Sequence, residues 1–451
     1  MDLVQALRLP SPARLALVGS GGKTSAMFQL ARSLRGPVWI TTSTHLGLDQ
    51  VTHADRHLTV PESQILADAQ PALAPGVTAI TGPQCDELRV GGLDEVQLLT
   101  LRNLADRWNI PLLIEADGAR GRPLKAPGDH EPAIPSWVDR VLVCAGLSGL
   151  GRPLDPESVH RPERFSELSG ISLGETVTLD GLAKVLAHPR GGLKNIPPSA
   201  IRSLLLNQAD DPEQVALAGK LARRLIPLYS EVVIASLRAR LGLDWADPAA
   251  GRIHAVHTRV AGIVLAAGES KRLGRAKQTL EWRGEPLVRQ VAWLAIRAGL
   301  SPVVVVTGAG RDAVEQAVSG LAVTCATNPE WALGQSSSLQ AGLRALPPGI
   351  RAALFLLCDQ PQIPVELTEH LVNRHARTLA PCVVPWVGGR RANPVLFDCA
   401  AFPDLLALEG DTGGRAVFSK YAASLEKVPW SDETILLDID TEEDYRRLLA
   451  L

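Results

Sequence analysis

Residues able to bind an anion follow directly after an apolar run in the stretch GIVLAAGESKRLGRAKQ, positions 262–278. Gly268 permits the close approach of a ligand, and Ser270 with neighbouring backbone N–H groups can bind phosphate oxygens. Arg272 can donate to two oxygens at once, while Lys277 supplies a point charge. The stretch predicts a phosphate-binding turn, although a single glycine-containing loop with solvated basic residues is common in α/β proteins.

A second stretch with the same chemistry is LVGSGGKTSAMFQLARSL, positions 17–34. Gly22, Lys23 and Thr24 match the end of a P-loop, although Leu17 stands where the full pattern has another glycine. Lys23 would reach the β- and γ-phosphates, and Thr24 would help to hold Mg²⁺. A helical pattern follows, and a helix N-terminus adds affinity for anions. The order of strand, loop and helix favours nucleotide binding over a helix cap with a solvated lysine.

Carboxylates close two later apolar runs. LLCDQP at 356–361 leads into Asp359, and LLIEADG at 112–118 contains Glu115 and Asp117 near its end. A carboxylate at the carboxyl end of a strand is well placed to hold Mg²⁺ against phosphates. Asp117 is typical of a Walker B carboxylate, and Asp359 predicts a second metal site, although a helix cap or a turn would also explain it.

Strands and helices must position these residues. Short β-branched or Leu-rich runs alternate with longer amphipathic stretches such as 286–300, and the runs lie at 15–19, 37–44, 112–118, 140–146, 203–208, 262–268, 303–308 and 353–361. Continuous apolar strands separated by helical patterns predict three-layer α/β domains, with mainly parallel sheets covered on both faces. Ligands bind at the carboxyl ends of strands in such sheets, where both glycine-containing turns fall.

The segment 241–259 fits neither the strand nor the helix pattern and contains Pro, Gly and Ala. We place a domain boundary there, near residue 257. The sequence therefore predicts two α/β domains, 1–250 and 258–451, each with its own glycine-rich turn after a first strand. A length of 451 residues is typical of two or three domains.

Bulk composition excludes several classes of protein. The chain has 46 basic and 48 acidic residues, so its charge gives no reason to expect nucleic acid or a membrane surface as a partner. The N-terminus lacks a signal-peptide pattern, and no apolar run approaches the ~18 residues that a membrane span needs. The six cysteines are scattered without a CxxC pair. A reduced, cytoplasmic protein is the expectation.

Six blocks of small, polar and apolar anchor residues follow one another in the second half. They are LAAGESKRLGRAK (265–277), GQSSSLQAGL (334–343), CDQP (358–361), ANPVLF (392–397), GDTGGR (410–415) and DIDTEEDY (438–445). In this order they resemble the MobA-like nucleotidyltransferases that complete the molybdenum cofactor, over about residues 261–451. Cys358 departs from the family, which has glycine before the aspartate, but it is small enough to be tolerated.

The resemblance implies transfer of CMP from CTP to molybdopterin phosphate, with release of pyrophosphate and a Rossmann-like fold. It implies nucleotide contacts for Leu265, Ala266, Ala267, Gly268, Ser270 and Gly274, catalytic contacts of Arg272 and Lys277 with the triphosphate, and catalysis with Mg²⁺ at Asp359. LAAG resembles the cytidylyl-transferring branch, whereas the guanylyl-transferring branch has LAGG. We expect the methyl group of Ala267 to crowd a purine, which favours CTP.

Blocks in the first half point to another family. They are VGSGGKT (18–24), TTSTHL (41–46), EADGARGRPLKAP (115–127), ESVHRPE (157–163), GGLKNIP (191–197) and LLNQAD (205–210). They resemble the YqeC-like accessory proteins of selenium-dependent hydroxylases over about residues 5–240. The resemblance implies a P-loop-like domain that binds ATP or GTP in support of a molybdenum hydroxylase, but it defines no reaction. The predicted nucleotide-binding residues are Gly19, Gly21, Gly22, Lys23, Thr24 and Asp117, with Thr24 also at the metal.

Several polar residues have two explanations. Asn207 and Asp210 are in register with the guanine-recognition motif NKxD, but a strand that ends in a polar turn would look the same. Asp438 and Asp440 are typical of acidic residues near a helix N-terminus. Asn393 is a further candidate for metal or cofactor contact. His160 has no partner at ligand spacing, so it does not predict a metal site.

The sequence is therefore interpreted as a fusion of an accessory domain with a molybdenum cofactor cytidylyltransferase. Two alternatives stay open. The second half could transfer a nucleotidyl group to a sugar phosphate or a polyol phosphate instead. The chain could also be a non-catalytic chaperone that binds finished cofactor and inserts it into a hydroxylase. The set of Arg272, Lys277 and Asp359 argues against a chaperone for the second half, and nothing comparable does so for the first.

Overall fold

The computed structural model describes residues 1–60, 73–238, 240, 242–269, 273–410 and 414–451, with the backbone alone at 415 and 416. The chain divides into two compact units, Met1–His257 and Thr258–Leu451. No helix among the described residues is long and apolar enough to cross a membrane. The predicted domain limits, 1–250 and 258–451, leave out residues 251–257, most of which form a strand.

Among its described residues the first unit has 13 strands, nine of which form one sheet. Its strands are β1 (Arg14–Gly19), β2 (Pro37–Thr42), β3 (His45–Gly47), β4 (Arg56–Thr59), β5 (Gly76–Thr81), β6 (Arg89–Gly91), β7 (Leu112–Glu115), β8 (Leu124–Lys125), β9 (Arg140–Gly146), β10 (Val159–His160), β11 (Ile201–Asn207), β12 (Glu231–Ser236) and β13 (Arg252–Thr258). The sheet order is β13-β12-β11-β9-β1-β7-β2-β5-β4, and the strands from β12 to β4 pair in parallel. β3 pairs with β6, and β8 with β10.

Helices of the first unit are α1 (Leu3–Leu7), α2 (Lys23–Ser33), α3 (Leu48–Val51), α4 (Glu95–Arg107), α5 (Pro162–Ser169), α6 (Leu179–Ala187) and α7 (Pro212–Leu225). Leu15, Ala16 and Leu17 in the central strand β1 are completely buried. Successive residues of a strand point to opposite faces, so both faces of this sheet are covered. α2 begins directly after the loop that follows β1, so this loop lies at the middle of the sheet.

Among its described residues the second unit has ten strands, eight of which form one sheet. Its strands are β14 (Val260–Leu265), β15 (Glu281–Trp282), β16 (Glu285–Pro286), β17 (Val303–Thr307), β18 (Thr324–Thr327), β19 (Ala352–Leu357), β20 (Cys382–Val387), β21 (Arg390–Arg391), β22 (Val395–Asp398) and β23 (Leu425–Pro429). The sheet order is β18-β17-β14-β19-β22-β20-β21, and β23 pairs with β20. β14 is parallel to both neighbours, β17 and β19, whereas β22 is antiparallel to β19 and β20.

Helices of the second unit are α8 (Leu287–Arg297), α9 (Arg311–Ala317), α10 (Gln335–Arg344), α11 (Val365–Thr378), α12 (Phe402–Leu406), α13 (Arg415–Lys420) and α14 (Glu442–Leu449). Two separate hydrophobic clusters cover the sheet. One joins Val264 of β14 to α8 and α11, and the other joins Ile263 of the same strand to α10 and α12. Because Ile263 and Val264 point to opposite faces, the unit has three layers.

The structure confirms the predicted fold class, two three-layer α/β domains with mainly parallel sheets. Each of the eight apolar runs contains a strand, and the helix expected at 286–300 is α8. Some strands end before the runs do. β7 stops at Glu115 and β19 at Leu357, so the polar residues that follow lie in loops at the sheet edge. The segment 241–259, expected to be irregular, contains β13.

Candidate functional sites in the two units

The loop between β1 and α2, residues 19–24, is named here the first glycine loop. Gly19, Gly21 and Gly22 have φ angles of 90°, 75° and 130°, which favour glycine. A Cβ on Gly19 would lie 2.2 Å from the carbonyl oxygen of Cys144, and one on Gly22 would lie 2.2 Å from Asn207 Nδ2. Both backbone conformation and close packing therefore require glycine here, and the loop is held in one shape.

Lys23, the first residue of α2, is buried between two carboxylates. Its Nζ donates to the carbonyl oxygen of Gly19 at 2.8 Å and lies 3.4 Å from Asp117 Oδ1 and 3.7 Å from Glu115 Oε1. Burial alone would lower the pKa of Lys23, but Asp117 and Glu115 outweigh it, so its pKa is raised. Lys23 is therefore protonated at neutral pH.

Glu115 and Asp117 support the loop in different ways. Thr24 Oγ1 donates to Glu115 Oε2 at 3.1 Å, because β7, which ends at Glu115, lies next to β1. Asp117 Oδ2 accepts from the Gly19 N–H at 3.0 Å and from Lys125 Nζ at 2.8 Å. Burial and the neighbouring Asp117 raise the pKa of Glu115. The sequence analysis named both carboxylates at the end of this run and chose Asp117 for the nucleotide site, and the structure shows that Glu115 is the one in contact with Thr24.

The first glycine loop opens onto a cleft of about 1200 Å³, which Asn207 and Asp210 also line. Asn207 Nδ2 donates to the carbonyl oxygen of Gly21 at 2.7 Å, and its Oδ1 accepts from the Leu237 N–H at 3.0 Å. The Asn207 amide thus fixes the loop. Ser236 Oγ lies 2.7 Å from Asp210 Oδ1 and can donate to it, which orients this carboxylate at the cleft.

The loop that follows β14, residues 265–278, is named here the second glycine loop. Leu265, Ala266 and Ala267 are buried, whereas Gly268 and Gly274 are exposed. A Cβ on Gly268 or Gly274 would meet no described atom within 4 Å. Gly274 has a φ of 71°, but Gly268 does not have a positive φ. Gly268 is therefore not required to relieve backbone strain, and no described residue packs against it.

Two residues predicted to bind phosphate in this loop, Ser270 and Arg272, lie outside the described residues. The described part of the loop is fixed by Gln278, whose Nε2 donates to the carbonyl oxygens of Ala266, at 3.2 Å, and of Gly268. Gln278 is almost fully buried. The sequence analysis did not select Gln278, because its position directly after Lys277 carries no recognisable pattern.

Ala267, predicted to select the base, is only 3% exposed. A Cβ built on Gly308 would lie 2.8 Å from the Ala267 Cβ and 2.8 Å from the Trp331 Cβ. The methyl group therefore packs against Gly308 inside the protein. The expected direct contact between this methyl group and a purine is not supported by this position, so any effect on the base must pass through Gly308 or Trp331.

Lys277 joins two carboxylates at the sheet edge. Its Nζ donates to Asp359 Oδ2 and lies 3.3 Å from Asp440 Oδ1. Asp359 follows β19, which pairs with β14, so its carboxylate lies beside the second glycine loop. Burial alone would lower the pKa of Lys277, but Asp359 and, less strongly, Asp440 outweigh it. The pKa is therefore raised above its ordinary value, and Lys277 stays protonated. The structure thus brings together Lys277 and Asp359, as predicted, and adds Asp440.

The acidic stretch 438–444 contributes both to this site and to a helix start. Thr441 is the N-cap of α14 and forms a capping box with Asp444. Asp438 Oδ1 instead accepts from Gln360 Nε2 at 2.6 Å, and burial raises the pKa of Asp438. The helix-start interpretation of Asp438 and Asp440 therefore does not describe their side chains, which contact Gln360 and Lys277, whereas Thr441 and Asp444 cap the helix.

Mg²⁺ fits the donors at both loops. Asp359 Oδ1 is buried and has no hydrogen-bond partner among the described residues, so one carboxylate oxygen can take a cation. At the first glycine loop, Thr24 and Glu115 offer a hydroxyl and a carboxylate in contact. Within the described ranges no three His, Cys, Asp or Glu side chains form a metal site by themselves. Mg²⁺ is usually held by one or two carboxylates together with substrate phosphates, which matches these incomplete sets.

A second cleft, of about 360 Å³, lies on the side of β14 nearer to β22. It is lined by apolar and polar side chains, among them Leu265, Leu339, Phe355, Leu357, Phe397, Phe418, Gln335, Gln360, Arg390, Arg391, Asn393 and Asp438. Asn393, a candidate from the sequence, thus lies in a cleft that shares Leu265 with the second glycine loop.

Cys358, which departs from the glycine of the family, precedes Asp359 and is buried. Burial raises the pKa of its thiol to about 12, so Cys358 packs as a small, neutral side chain.

Comparison with known proteins assigns the two halves separately. The family model "YqeC protein" matches residues 15–163, and "MobA-like NTP transferase domain" matches residues 262–426. YqeC of Escherichia coli is 31% identical over 229 residues, which are 48% of this chain and 83% of that protein. "Nicotine blue oxidoreductase" of Paenarthrobacter nicotinovorans is 32% identical over 198 residues, 42% of this chain and 96% of that protein. The chain is a fusion of the YqeC family with the MobA-like NTP transferase family.

Both resemblances seen in the sequence are thus confirmed, and the second half is a nucleotidyltransferase by family. "Probable molybdenum cofactor guanylyltransferase" of Mycobacterium avium is 30% identical over 194 residues, which cover 42% of this chain and 95% of that protein. The relatives of the transferase half therefore carry different names. Similarity alone does not fix the base or the acceptor that this fusion uses.

Proposed function

We propose that the transferase half moves CMP from CTP to a molybdopterin-type cofactor and releases pyrophosphate. The observation that carries this proposal is the cluster of Lys277, Asp359 and Asp440 beside the open second glycine loop. Such a cluster holds a protonated amine and an unpaired carboxylate oxygen where a triphosphate and its metal would lie. The relative of Mycobacterium avium, named for molybdenum cofactor, supports this class of acceptor.

The chemistry needs little from the protein beyond position and charge. A phosphate oxygen of the acceptor attacks the α-phosphorus of the nucleotide, and the bond to the β-phosphate oxygen breaks, so that pyrophosphate leaves. The attacking oxygen is already anionic near neutral pH, and no general base is required. Arg272 and Lys277 would hold the triphosphate, and Asp359 would hold Mg²⁺, which neutralises charge on the leaving group.

The choice of CTP rests on the sequence LAAG, positions 265–268. Ala267 packs against Gly308, so we infer that its methyl group sets the position of this neighbour instead of touching the base. The relatives that are named guanylyltransferases make GTP the competing nucleotide to test. Base choice is a matter of differential transition-state binding, and one methyl group supplies only about 1–3 kcal/mol.

For the YqeC half we propose binding of a purine nucleoside triphosphate with Mg²⁺ in support of a molybdenum hydroxylase. The first glycine loop supplies backbone N–H groups at the start of α2, where Lys23 would contact the β- and γ-phosphates and Thr24 would help to hold Mg²⁺. Asp210 favours GTP, because a carboxylate can accept from the two donors on one edge of guanine, which adenine lacks. ATP is the alternative.

The decisive experiment measures pyrophosphate release by the full chain with each nucleotide and each class of acceptor. Release from CTP that depends on molybdopterin is expected. Release that depends instead on a sugar 1-phosphate or a polyol phosphate would identify the alternative transferase. Binding of finished cofactor without any release would identify the chaperone.

A further inference from the structure

The cleft of the YqeC half extends to both sides of the strand that carries the first glycine loop. β1 has β9, β11 and β12 on one side of it in the sheet, and β7, β2 and β5 on the other. Asn207 and Asp210 reach the cleft from the β11 side, whereas Ser43, Arg120 and Arg122 follow β2 and β7 on the opposite side. A nucleotide with its phosphates on the loop can extend its base to one side only.

The size of the cleft agrees with two ligands. Its volume is about 1200 Å³, whereas a pocket for one drug-sized ligand has roughly 300–1000 Å³. If the base lies toward Asp210, as the proposed nucleotide site requires, the side formed by the loops after β2 and β7 is left for another molecule. This second half of the cleft is named here the β7 side.

Two arginines give the β7 side positive charge. Arg120 is exposed with a φ of 49°, and the Arg122 N–H donates to the carbonyl oxygen of Ala119 at 3.0 Å, which closes a tight turn. This turn brings both arginines to the cleft. Among the described residues, no carboxylate forms an ion pair with either guanidinium group.

Carboxylates on the β7 side are mostly neutralised by other cations. Glu131 accepts from Lys125 at 2.8 Å and from Arg161 at 2.6 and 2.8 Å. Burial alone would raise the pKa of Glu131, but Arg161 and Lys125 lower it to about 2. Burial, and then Arg161 and Lys125, lower the pKa of His160 to about 4, so it is neutral at pH 7. Asp49 also lines the cleft without an ion pair among the described residues.

We propose that the β7 side binds a second substrate that carries a phosphate group, held by Arg120 and Arg122. Two guanidinium groups balance a dianion and can donate to several of its oxygens at once. The YqeC half would then bring a phosphorylated small molecule against the terminal phosphate of a nucleotide, as a two-substrate enzyme does. This inference rests on the nucleotide site proposed above, but it assigns a different site to different residues.

Calorimetry on the full chain tests the second site with inorganic phosphate as the probe. The protein is first saturated with Mg²⁺ and a non-hydrolysable GTP or ATP analogue, so that the first glycine loop is occupied, and then titrated with phosphate. The double variant Arg120→Ala, Arg122→Ala is expected to bind phosphate at least tenfold more weakly than the wild type, with the affinity for the analogue unchanged. Arg107→Ala, which removes an exposed arginine of α4 outside the cleft, is expected to behave as the wild type.

Acetate, which carries a single charge, is the probe for carboxylate ligands and is expected to bind more weakly than phosphate. Equal phosphate binding by wild type and double variant would overturn the proposal. The proposal would also fail if the double variant bound both phosphate and the nucleotide analogue more weakly, because the arginines would then contact the nucleotide itself. Failure of the nucleotide site shows separately, as an analogue that does not bind or whose binding ignores Lys23→Ala.

Discussion

The two glycine loops begin alike, each after a central strand of a parallel sheet, but the protein packs them differently. In the first loop, a Cβ on Gly19 or Gly22 would lie 2.2 Å from a neighbouring atom. In the second loop, a Cβ on Gly268 or Gly274 would meet no described atom within 4 Å. The first loop borders a cleft, but its glycines are packed against neighbouring atoms, so it is called here the closed site. The second is called the open site, because no described atom lies near its glycines.

The lysines are alike in charge environment, since each lies between two carboxylates, although Lys23 is buried and Lys277 is half-buried. Lys23 lies near the end of the first loop, as the first residue of α2, between Glu115 and Asp117. Lys277 lies near the end of the second loop, in contact with Asp359 and Asp440. Both sites thus place a lysine between two carboxylates, although the lysine lies at a different distance from its strand in each. The sites differ in how tightly the neighbouring residues pack against the glycines.

The largest expected effect concerns the metal carboxylate of the open site. Asp359→Asn is expected to lower the rate of nucleotidyl transfer by roughly 100-fold or more, because it removes the charge that holds the metal. Thermal unfolding should change little, since the amide keeps the shape of the side chain. Asp312→Asn, an exposed aspartate of α9, is the matched control and should be fully active. Near-normal turnover of Asp359→Asn would remove this residue from the site.

The second effect concerns the closed site. Lys23→Ala is expected to weaken triphosphate binding by the YqeC half at least tenfold, because Lys23 reaches the β- and γ-phosphates. Monophosphate binding should change much less. Fluorescent-nucleotide titrations of the full chain with Mg²⁺ measure both. Unchanged affinity for every triphosphate would mean that the closed loop is not a nucleotide site.

A matched pair of glycine substitutions tests the packing difference itself. Gly21→Ala is expected to cost about 1–3 kcal/mol of unfolding free energy, because the residue has a φ of 75° and its Cβ would lie 2.3 Å from the Gly146 nitrogen. Gly268→Ala should leave the unfolding free energy unchanged within about 0.5 kcal/mol. Denaturant unfolding of the full chain measures both variants. Equal destabilisation would show that the second loop is as tightly packed as the first.

The smallest effect concerns base choice. The wild type is expected to prefer CTP over GTP, by roughly 10- to 200-fold in kcat/KM. Ala267→Gly should relax this preference only a few-fold, because the methyl group acts through Gly308 and supplies no hydrogen bond to guanine. The kcat/KM values for CTP and GTP, with molybdopterin as acceptor, measure the change. A wild-type preference for GTP would overturn the cytidylyl assignment and leave the nucleotidyl-transfer mechanism in place.

The sequence predicted those parts of the sites that depend on local order along the chain. The apolar runs predicted strands, and the polar residues that follow these runs predicted the site residues Lys23, Asp117, Lys277 and Asp359. Partners from distant segments could not be found in this way. Asp440 meets Lys277 across 163 residues, and Asn207 meets Gly21 across 186 residues, and only tertiary packing brings them together.

The contacts of the Ala267 side chain also depend on tertiary packing and could not be predicted from the sequence. Its place in LAAG correctly marked a strand end at the site, but the direction of its methyl group depends on β17, which pairs with β14 and leads into Gly308. The eight apolar runs also missed several strands, among them β5, β12, β20 and the antiparallel β22.

Pyrophosphate release from CTP with molybdopterin as acceptor, compared between Asp359→Asn and Lys23→Ala in the full chain, tests the central claim most directly. The account predicts acceptor-dependent release by the wild type, a loss of roughly 100-fold or more in Asp359→Asn, and near-normal release in Lys23→Ala. This outcome would assign nucleotidyl transfer to the open site alone. Full release by Asp359→Asn together with loss in Lys23→Ala would place the chemistry in the closed site and contradict the account.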